Sequence, residues 1–133
     1  NGANLNLLGT REPDIYGSTS MDDILTHLKS EYSQHAIEYF QSNFEGEIIG
    51  KIQENDFDAL IINPGAFTHY SYAIADALKN LRKPKIEVHI SNIYQREEFR
   101  QKSVTAAYTD AVLSGFGTEG YRLAIIHLIS TIQ

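Results

Sequence analysis

The sequence predicts an α/β fold, a flavodoxin-like, doubly wound parallel sheet of about five strands with helices on both faces. Short apolar segments alternate along the chain with amphipathic segments of helical period. This alternation is typical of parallel sheets whose strands are joined by right-handed crossovers. The length of 133 residues suits a single domain over residues 1–133 with a sizeable core.

The first half of the chain contains a polar loop, two helices and two strands. Ser20 is a candidate N-cap of the first helix, with Asp23 as its capping-box partner. A strand–turn–helix unit needs an apolar strand before its loop, so we expect a further strand ahead of Asn1. The predicted elements are a loop over 1–17, a helix over 21–32, a strand over 36–41, a helix from residue 44 to residue 54 and a strand over 58–62.

The strand over 58–62 ends in Asn63-Pro64-Gly65. Pro64 favours an extended Asn63, and Pro followed by Gly suits the two central positions of a type II turn. Thr68 is then a candidate N-cap for a helix that runs to about Leu81. Open α/β sheets bind ligands at such a strand end. On local pattern alone, an Asn63 that merely satisfies the turn is an equally good interpretation.

The second half predicts a strand over 86–90, a short helix over 96–100, a strand over 110–116 and a helix from Gly117 to Ile132. Glu87 and His89 are two residues apart, so both side chains face the same side of their strand. A carboxylate beside a histidine fixes its tautomer and stabilises its charged form. A purely structural hydrogen-bonded pair is the simpler alternative.

Parallel strands end at one edge of the sheet, and polar residues follow several of these ends. His69 and Asp76 share one helix face, as Arg96 and Arg100 share another, although each pair alone is also typical of a solvated surface. Ser91 offers a hydroxyl and backbone N–H groups to an anion. Convergence of so many polar side chains favours one site. The residues expected around this crevice are Asn4, Arg11, Tyr16, Asn63, His69, Glu87, His89, Ser91 and Arg100.

Composition argues against several classes of function. A formal net charge of −6 disfavours nucleic acid as a partner. The chain has no cysteine, which excludes disulfides and thiolate sites and suits a reducing cytoplasm. No apolar run is long enough to span a membrane, and no signal-peptide pattern is present.

Two other classes that share this fold were weighed against the residues at the strand ends. A flavin-binding domain needs a phosphate loop rich in Ser, Thr and Gly, where this chain has Leu5, Leu7 and Leu8. A phospho-acceptor receiver domain needs an acidic residue where Asn63 stands. Both alternatives are therefore disfavoured.

Motifs spread from the first residue to the last helix resemble those of type II 3-dehydroquinate dehydratases. Three positions, Ala3, Phe44 and Ala75, depart from the usual family pattern, and none of them is a catalytic position. The matching motifs are Asn1–Gly9, Arg11–Pro13 with Tyr16–Gly17, Gln41–Asn43 with Glu45–Gly46, Asn63–Ala66 with Thr68–His69, Ile86–Asn92, Arg96–Arg100 and Gly115–Tyr121.

The resemblance implies dehydration of 3-dehydroquinate to 3-dehydroshikimate through an enolate, in the shikimate pathway of aromatic amino acid biosynthesis. It implies that Tyr16 is the base that removes the proton alpha to the ketone. An ordinary tyrosine is a poor base at neutral pH. Arg11 and Arg96 would favour its phenolate, because nearby cations stabilise an anion.

The same resemblance assigns the remaining chemistry. Asn4 and Asn63 would stabilise the enolate oxygen, a task that neutral donors can perform. His89, held by Glu87, would protonate the departing hydroxyl. No cofactor and no metal are implied.

Substrate-binding roles and assembly follow from the resemblance as well. Ser91, with the backbone N–H groups of Ile90 and Ser91, would bind the substrate carboxylate. His69 and Arg100 would hold ring hydroxyls, and Asp76 would reach the site of a neighbouring subunit. The implied assembly is a homododecamer built from trimers.

Overall fold

A parallel sheet forms the middle of the structure, which is a computed structural model that describes residues 1–10, 14 and 19–132. The strands of the described chain are β1 (Leu60–Ile62), β2 (Lys85–His89) and β3 (Ala111–Ser114). They lie in the order β1-β2-β3, and both neighbouring pairs are parallel. The α/β class with a parallel sheet is therefore confirmed, and the strand ends gather at one edge.

Helices cover both faces of this sheet. The α-helices of the described chain are α1 (Met21–Glu31), α2 (Glu45–Glu54), α3 (Tyr72–Asn80) and α4 (Glu119–Ile132). Apolar residues of α1 and α4 pack against Ile86 and Val88 of β2. Apolar residues of α2 and α3 pack with Ile62 of β1, whose register partner is Glu87. Alternate residues of a strand point to opposite faces, so the sheet has one core on each side.

The predicted strand over 36–41 does not form, and the described sheet has three strands where five were expected. The Asn1 amino group donates to the Phe40 carbonyl at 3.0 Å, and the Ser42 N–H donates to the Asn1 carbonyl at 3.1 Å. These two bonds have the spacing of a parallel strand pair. Within the described residues, backbone hydrogen bonds of this kind form only at the carboxyl end of the segment. A continuous ladder of such bonds therefore does not form along residues 36–41.

The turn after β1 differs from the predicted type II turn. Pro64 has φ −68° and ψ −13°, and Gly65 has φ +63°. A type II turn requires an extended ψ at its first central residue, so that prediction was wrong. Instead the Gly65 N–H donates to Asn63 Oδ1 at 3.1 Å. The Asn63 side chain thus shapes the turn, and residues 65–69 continue as a short 3-10 helix.

The start of α1 was predicted correctly and the start of α3 was not. Ser20 Oγ accepts the N–H of Asp23 at 3.2 Å, as the N-cap prediction required. Ser71, not Thr68, caps α3, because its Oγ accepts the Ile74 N–H at 3.1 Å. Thr68 is fully buried instead, and it lies beneath the sheet edge.

The connection from β2 to β3 folds back over the turn that follows β1. It forms 3-10 helices at Ile93–Gln95, Glu98–Arg100 and Ala106–Tyr108 in place of the predicted helix over 96–100. The Val104 N–H donates to the Thr68 carbonyl at 2.7 Å. This bond ties two loops together at the carboxyl edge of the sheet. None of the described helices combines the length and apolar character that crossing a bilayer requires.

The beginning of the chain lies directly against the same turn. The Gly2 N–H donates to the Asn63 carbonyl at 2.8 Å. A Cβ atom at residue 2 would lie 2.0 Å from the Pro64 carbonyl oxygen. Only glycine permits this approach of two backbones.

We expect Gly2→Ala to lower the free energy of unfolding by about 1–3 kcal/mol, because the new methyl group meets backbone atoms that cannot rotate away. Gly50→Ala is the matched control, since a Cβ there meets nothing within 4 Å. Gly50 lies inside α2, so its substitution should raise stability by about 0.5–1 kcal/mol. Urea unfolding measures both. Equal stability of Gly2→Ala and the natural chain would contradict the close approach.

Candidate active site

A crevice opens at the carboxyl edge of the sheet. The start of the chain, the turn after β1 and the segment after β2 form its wall. Most of the site residues predicted from the sequence lie in this wall, and these are Asn4, Asn63, His69, His89, Ile90, Ser91, Arg96 and Arg100. The topology of the sheet therefore brings together side chains that are far apart along the chain.

Two of the predicted residues that the structure describes, Glu87 and Asp76, do not line this wall. Glu87 lies behind His89, and Asp76 is exposed on α3. Arg11 and Tyr16 fall outside the described residues. The wall also contains residues that sequence reasoning did not assign, and these are Ala3, Leu5, Gly65, Ala66 and Ile93.

His89 and Glu87 form a buried hydrogen-bonded pair at the end of β2. The two side chains are 5% and 0% exposed, and His89 Nε2 lies 2.7 Å from Glu87 Oε2. An ionised carboxylate can only accept a hydrogen bond, so Nε2 carries the proton of this bond. Nδ1 is then the ring nitrogen left for a bound molecule. Such an arrangement lets a histidine exchange a proton at one defined atom.

Three hydroxyl groups surround the Glu87 carboxylate on its other sides. Ser103 Oγ donates to Oε2 at 2.9 Å, Thr105 Oγ1 donates to Oε1, and Thr68 Oγ1 lies 3.3 Å from Oε2. Sequence reasoning missed these three residues, because Thr68 resembled a helix cap and 103–105 show no periodic pattern. A buried carboxylate requires hydrogen-bond donors, so a buried Glu87 could have indicated from the sequence that Ser or Thr side chains lie near it.

The pKa of Glu87 reflects two opposed effects. Burial raises the pKa, because it disfavours the charged form. Hydrogen bonds from His89, Thr105 and Ser103, together with the charge of His89, act in the other direction and outweigh it. The pKa of Glu87 is therefore held below its ordinary value, so the group is a carboxylate at neutral pH.

Asn63 is held by groups on three separate parts of the chain. It is 4% exposed, and its Nδ2 donates to the Tyr121 hydroxyl at 3.0 Å while Oδ1 accepts from Gly65. The Tyr121 hydroxyl donates in turn to Asn1 Oδ1 at 2.9 Å. These bonds fix the orientation of the amide and leave its second N–H for a ligand in the crevice.

Asn4 enters the wall through an unusual backbone conformation. Its φ of 66° lies in the left-handed region, which asparagine adopts more readily than most residues. Its backbone N–H donates to Asn43 Oδ1 at 2.9 Å, which anchors this turn. An exposed amide is thereby presented beside Asn63.

Two arginines line the crevice, and the Glu97 carboxylate lies 3.6 Å from Arg96 Nε and 3.2 Å from Arg100 Nε. Arg96 Nη1 donates to Ser91 Oγ at 3.2 Å. Arg100 Nε donates to Glu97 Oε2 at 3.2 Å, and its guanidinium lies 4.9 Å from the centre of the Phe99 ring. Guanidinium groups bind carboxylates well, so this wall suits an anionic ligand.

His69 faces the crevice with a defined tautomer. Its Nδ1 lies 2.7 Å from the Lys102 carbonyl, which can only accept a hydrogen bond. Nδ1 therefore carries a proton, and Nε2 of a neutral ring is free to accept one from a hydroxyl. The crevice as a whole offers an acid–base histidine, amide donors and cations, which suits proton transfer on a small anionic polyol.

Known proteins that are similar in sequence belong to one family. The model of the family described as "Dehydroquinase class II" matches residues 1–129. A 3-dehydroquinate dehydratase of Thermotoga petrophila is 52% identical over 135 residues, covering 100% of this chain and 94% of that protein. A 3-dehydroquinate dehydratase of Caldicellulosiruptor bescii is 56% identical over 133 residues, covering 96% of this chain and 92% of that protein.

Solved structures give the same result. The type II dehydroquinase of Propionibacterium acnes superposes with a TM-score of 0.92 at 44% identity, covering 97% of this chain and 92% of that one. That of Butyrivibrio crossotus superposes with a TM-score of 0.92 at 47% identity, covering 96% and 92%. On its sequence and its fold together, the chain belongs to the class II dehydroquinase family.

Proposed function

We propose that this chain converts 3-dehydroquinate to 3-dehydroshikimate by eliminating water, as a step of the shikimate pathway of aromatic amino acid biosynthesis. The observation that carries the proposal is the buried Glu87–His89 pair in a crevice walled by two arginines, in a member of the class II dehydroquinase family. The cytoplasm is the proposed place of action, since the chain has no cysteine to require an oxidising compartment.

The substrate matches the polar groups of the wall. It carries a carboxylate, a ketone and ring hydroxyls. Ser91 and the backbone N–H groups of Ile90 and Ser91 are assigned to the carboxylate, supported by the bond from Arg96 to Ser91. His69 Nε2 accepts from a ring hydroxyl, and Arg100 donates to another. No cofactor and no metal enter the reaction as we propose it.

The first step removes the proton alpha to the ketone. We assign the base to Tyr16 because of the family resemblance of its motif. Arg11, close to Tyr16 in the sequence, and Arg96 favour the phenolate by their charge. The electron pair of the broken C–H bond moves onto the ketone oxygen, where the N–H of Asn63 and the amide of Asn4 stabilise the enolate.

The second step expels the hydroxyl at the neighbouring carbon. The enolate electrons re-form the ketone and make the new carbon–carbon double bond as the carbon–oxygen bond breaks. His89 donates the proton of Nδ1 to the departing hydroxyl, which leaves as water. The Glu87 carboxylate accepts the hydrogen bond of Nε2, so it orients the imidazole with Nδ1 available for this transfer.

The assembly is proposed to be a homododecamer of trimers in which Asp76 serves a neighbouring site. Asp76 is exposed on α3 and lies outside the crevice wall of its own chain. An exposed carboxylate on this face fits a contact across a subunit boundary better than a role in its own crevice.

Replacement of Tyr16 by Phe should abolish most of the turnover and leave substrate binding intact. A positioned general base contributes about 10²–10⁴-fold to the rate, and Phe removes that base while keeping the ring. Ultraviolet absorbance of the conjugated enone follows the reaction. Tyr32→Phe, at the end of α1, is the control and should retain full activity. Substantial turnover by Tyr16→Phe would assign proton abstraction elsewhere.

The reaction should proceed without a covalent imine. A Schiff-base lysine needs a desolvated position at the reacting carbon. Lys85 is 9% exposed, but it begins β2, at the opposite edge, and its Nζ donates to the Leu81 carbonyl at 2.6 Å. Lys102 approaches His69 through its backbone carbonyl, while its side chain is exposed.

Borohydride added together with substrate should therefore leave the intact mass of the protein and its activity unchanged. Reduction would trap an imine irreversibly if one formed. A mass increase on a single lysine, accompanied by loss of activity, would overturn the enolate mechanism. Borohydride without substrate is the control for nonspecific damage.

Subunit complementation tests the role of Asp76. Tyr16→Phe and Asp76→Ala should each be inactive as pure oligomers. Differently tagged copies of the two, co-expressed and purified through both tags, should regain part of the activity, because an intact Tyr16 then meets an intact Asp76 from its neighbour. Light scattering measures the size of the assembly. Mixed oligomers without activity would place Asp76 in its own site or in none.

A further inference from the structure

We propose that Thr68, Ser103 and Thr105 are positioning residues. They keep the Glu87 carboxylate ionised and oriented towards His89, and they thereby keep a proton on Nε2 of His89. The inference rests on the proposed function, because His89 is the acid that it serves. The three residues lie within hydrogen-bond distance of Glu87 and do not line the crevice. Their effect on the reaction is therefore indirect and passes through the Glu87–His89 pair.

Hydrogen-bond donors approach both oxygens of the Glu87 carboxylate. His89 and Ser103 approach Oε2 at 2.7 and 2.9 Å, and Thr105 donates to Oε1. Thr68 Oγ1 lies 2.7 Å from both Ser103 Oγ and Thr105 Oγ1, and its single proton supports this ring of hydroxyls. Burial disfavours the charged carboxylate, and the donors on both of its oxygens offset that cost, so the arrangement favours the anion.

The hydroxyl rotors are themselves held by the backbone. The Ala106 N–H donates to Ser103 Oγ at 3.0 Å, which directs the Ser103 proton towards Glu87. The Val104 N–H donates to the Thr68 carbonyl at 2.7 Å, which joins the two segments that supply the hydroxyls. Thr68 and Thr105 are both fully buried. Packing alone would be served as well by valine, which has the same shape as threonine and no hydroxyl.

The charge around Glu87 comes from His89. Within the described residues, His89 is the basic group within ion-pair distance of this carboxylate, and it is charged only when its ring is doubly protonated. The register partners of Glu87 on β1 and β3 are Ile62 and Val112, which do not titrate. Lys85, on the same face of β2, is buried, but its Nζ donates to the Leu81 carbonyl at 2.6 Å. The titratable groups nearby at the crevice or on the surface include His69, Asp76, Lys79, Arg96, Arg100 and Lys102. The hydroxyls consequently supply the remaining stabilisation of the buried anion.

The consequence appears at the far nitrogen of the imidazole. While Glu87 is an aimed anion, neutral His89 carries its proton on Nε2, and a second proton must bind at Nδ1, which faces the crevice. Without the hydroxyls, the carboxylate can rotate or take up a proton. The ring is then free to change tautomer, and Nδ1 no longer delivers its proton in a defined direction.

Kinetics provide the first test. Thr105→Val should lower kcat about tenfold with little change in KM, since a hydrogen bond to a charged group is lost. Thr105→Ser keeps the hydroxyl and should restore kcat to within about twofold. Thr109→Val is the matched control, because the Thr109 hydroxyl donates to the carbonyls of Ala106 and Ala111 and not to Glu87. Ser103→Ala provides a second independent loss should the valine variant fold poorly.

Nitrogen NMR of the histidine rings provides the second test and needs no substrate. His89 should show the Nε2–H tautomer in the natural chain and a mixture of tautomers in Thr105→Val or Ser103→Ala, with signals assigned from His89→Gln. Unchanged kcat and an unchanged tautomer in folded variants would overturn the inference, even if their stability fell. A tautomer that responds in a chain without dehydratase activity would sustain the inference and defeat the proposed function.

Discussion

A carboxylate with no exposed surface, in the middle strand of the sheet, is the constraint on which the rest of the site depends. Moving an ion of this kind out of water costs several kcal/mol unless donors replace the lost hydration. At Glu87 those donors come from His89 on the same strand and from hydroxyls on the segments after β1 and before β3. Two loops at the carboxyl edge of the sheet therefore supply hydrogen-bond donors to this one charge, and the crevice lies between them.

One face of β2 packs into the core, and the other face carries two residues of the candidate site. Ile86 and Val88 pack into the core beneath α1 and α4, while Glu87 and His89 face the opposite side. The five residues of β2 therefore contribute to the core and also orient His89, the proposed acid. Precision at the site follows from this arrangement, because the Glu87–His89 pair cannot move without disturbing a close-packed core.

The local sequence pattern was sufficient to predict features that depend on residues close together in the sequence. Period-two alternation identified the faces of β2, and capping chemistry identified Ser20. It was not sufficient where distant contacts decide the outcome. Thr68 has the propensity of a helix cap, yet its hydroxyl is used by Ser103 and Thr105, more than thirty residues away. The segment 36–41 has the alternation of a strand, but strand formation depends on a neighbour that the pattern cannot supply.

Tyr121, which holds Asn63, and Tyr16, the proposed base, illustrate why environment, and not residue type, separates a base from a structural hydroxyl. Burial raises the pKa of Tyr121 to about 12, against the smaller opposing effect of its bonds with Asn63 and Asn1. Such a group remains neutral at physiological pH and can orient an amide, but it cannot accept a proton from carbon. A tyrosine base needs the opposite surroundings, with cations beside the oxygen. Arg11 is close to Tyr16 in the sequence, so the segment to which we assign the base carries a cation, whereas no cation is among the causes that shift the pKa of Tyr121.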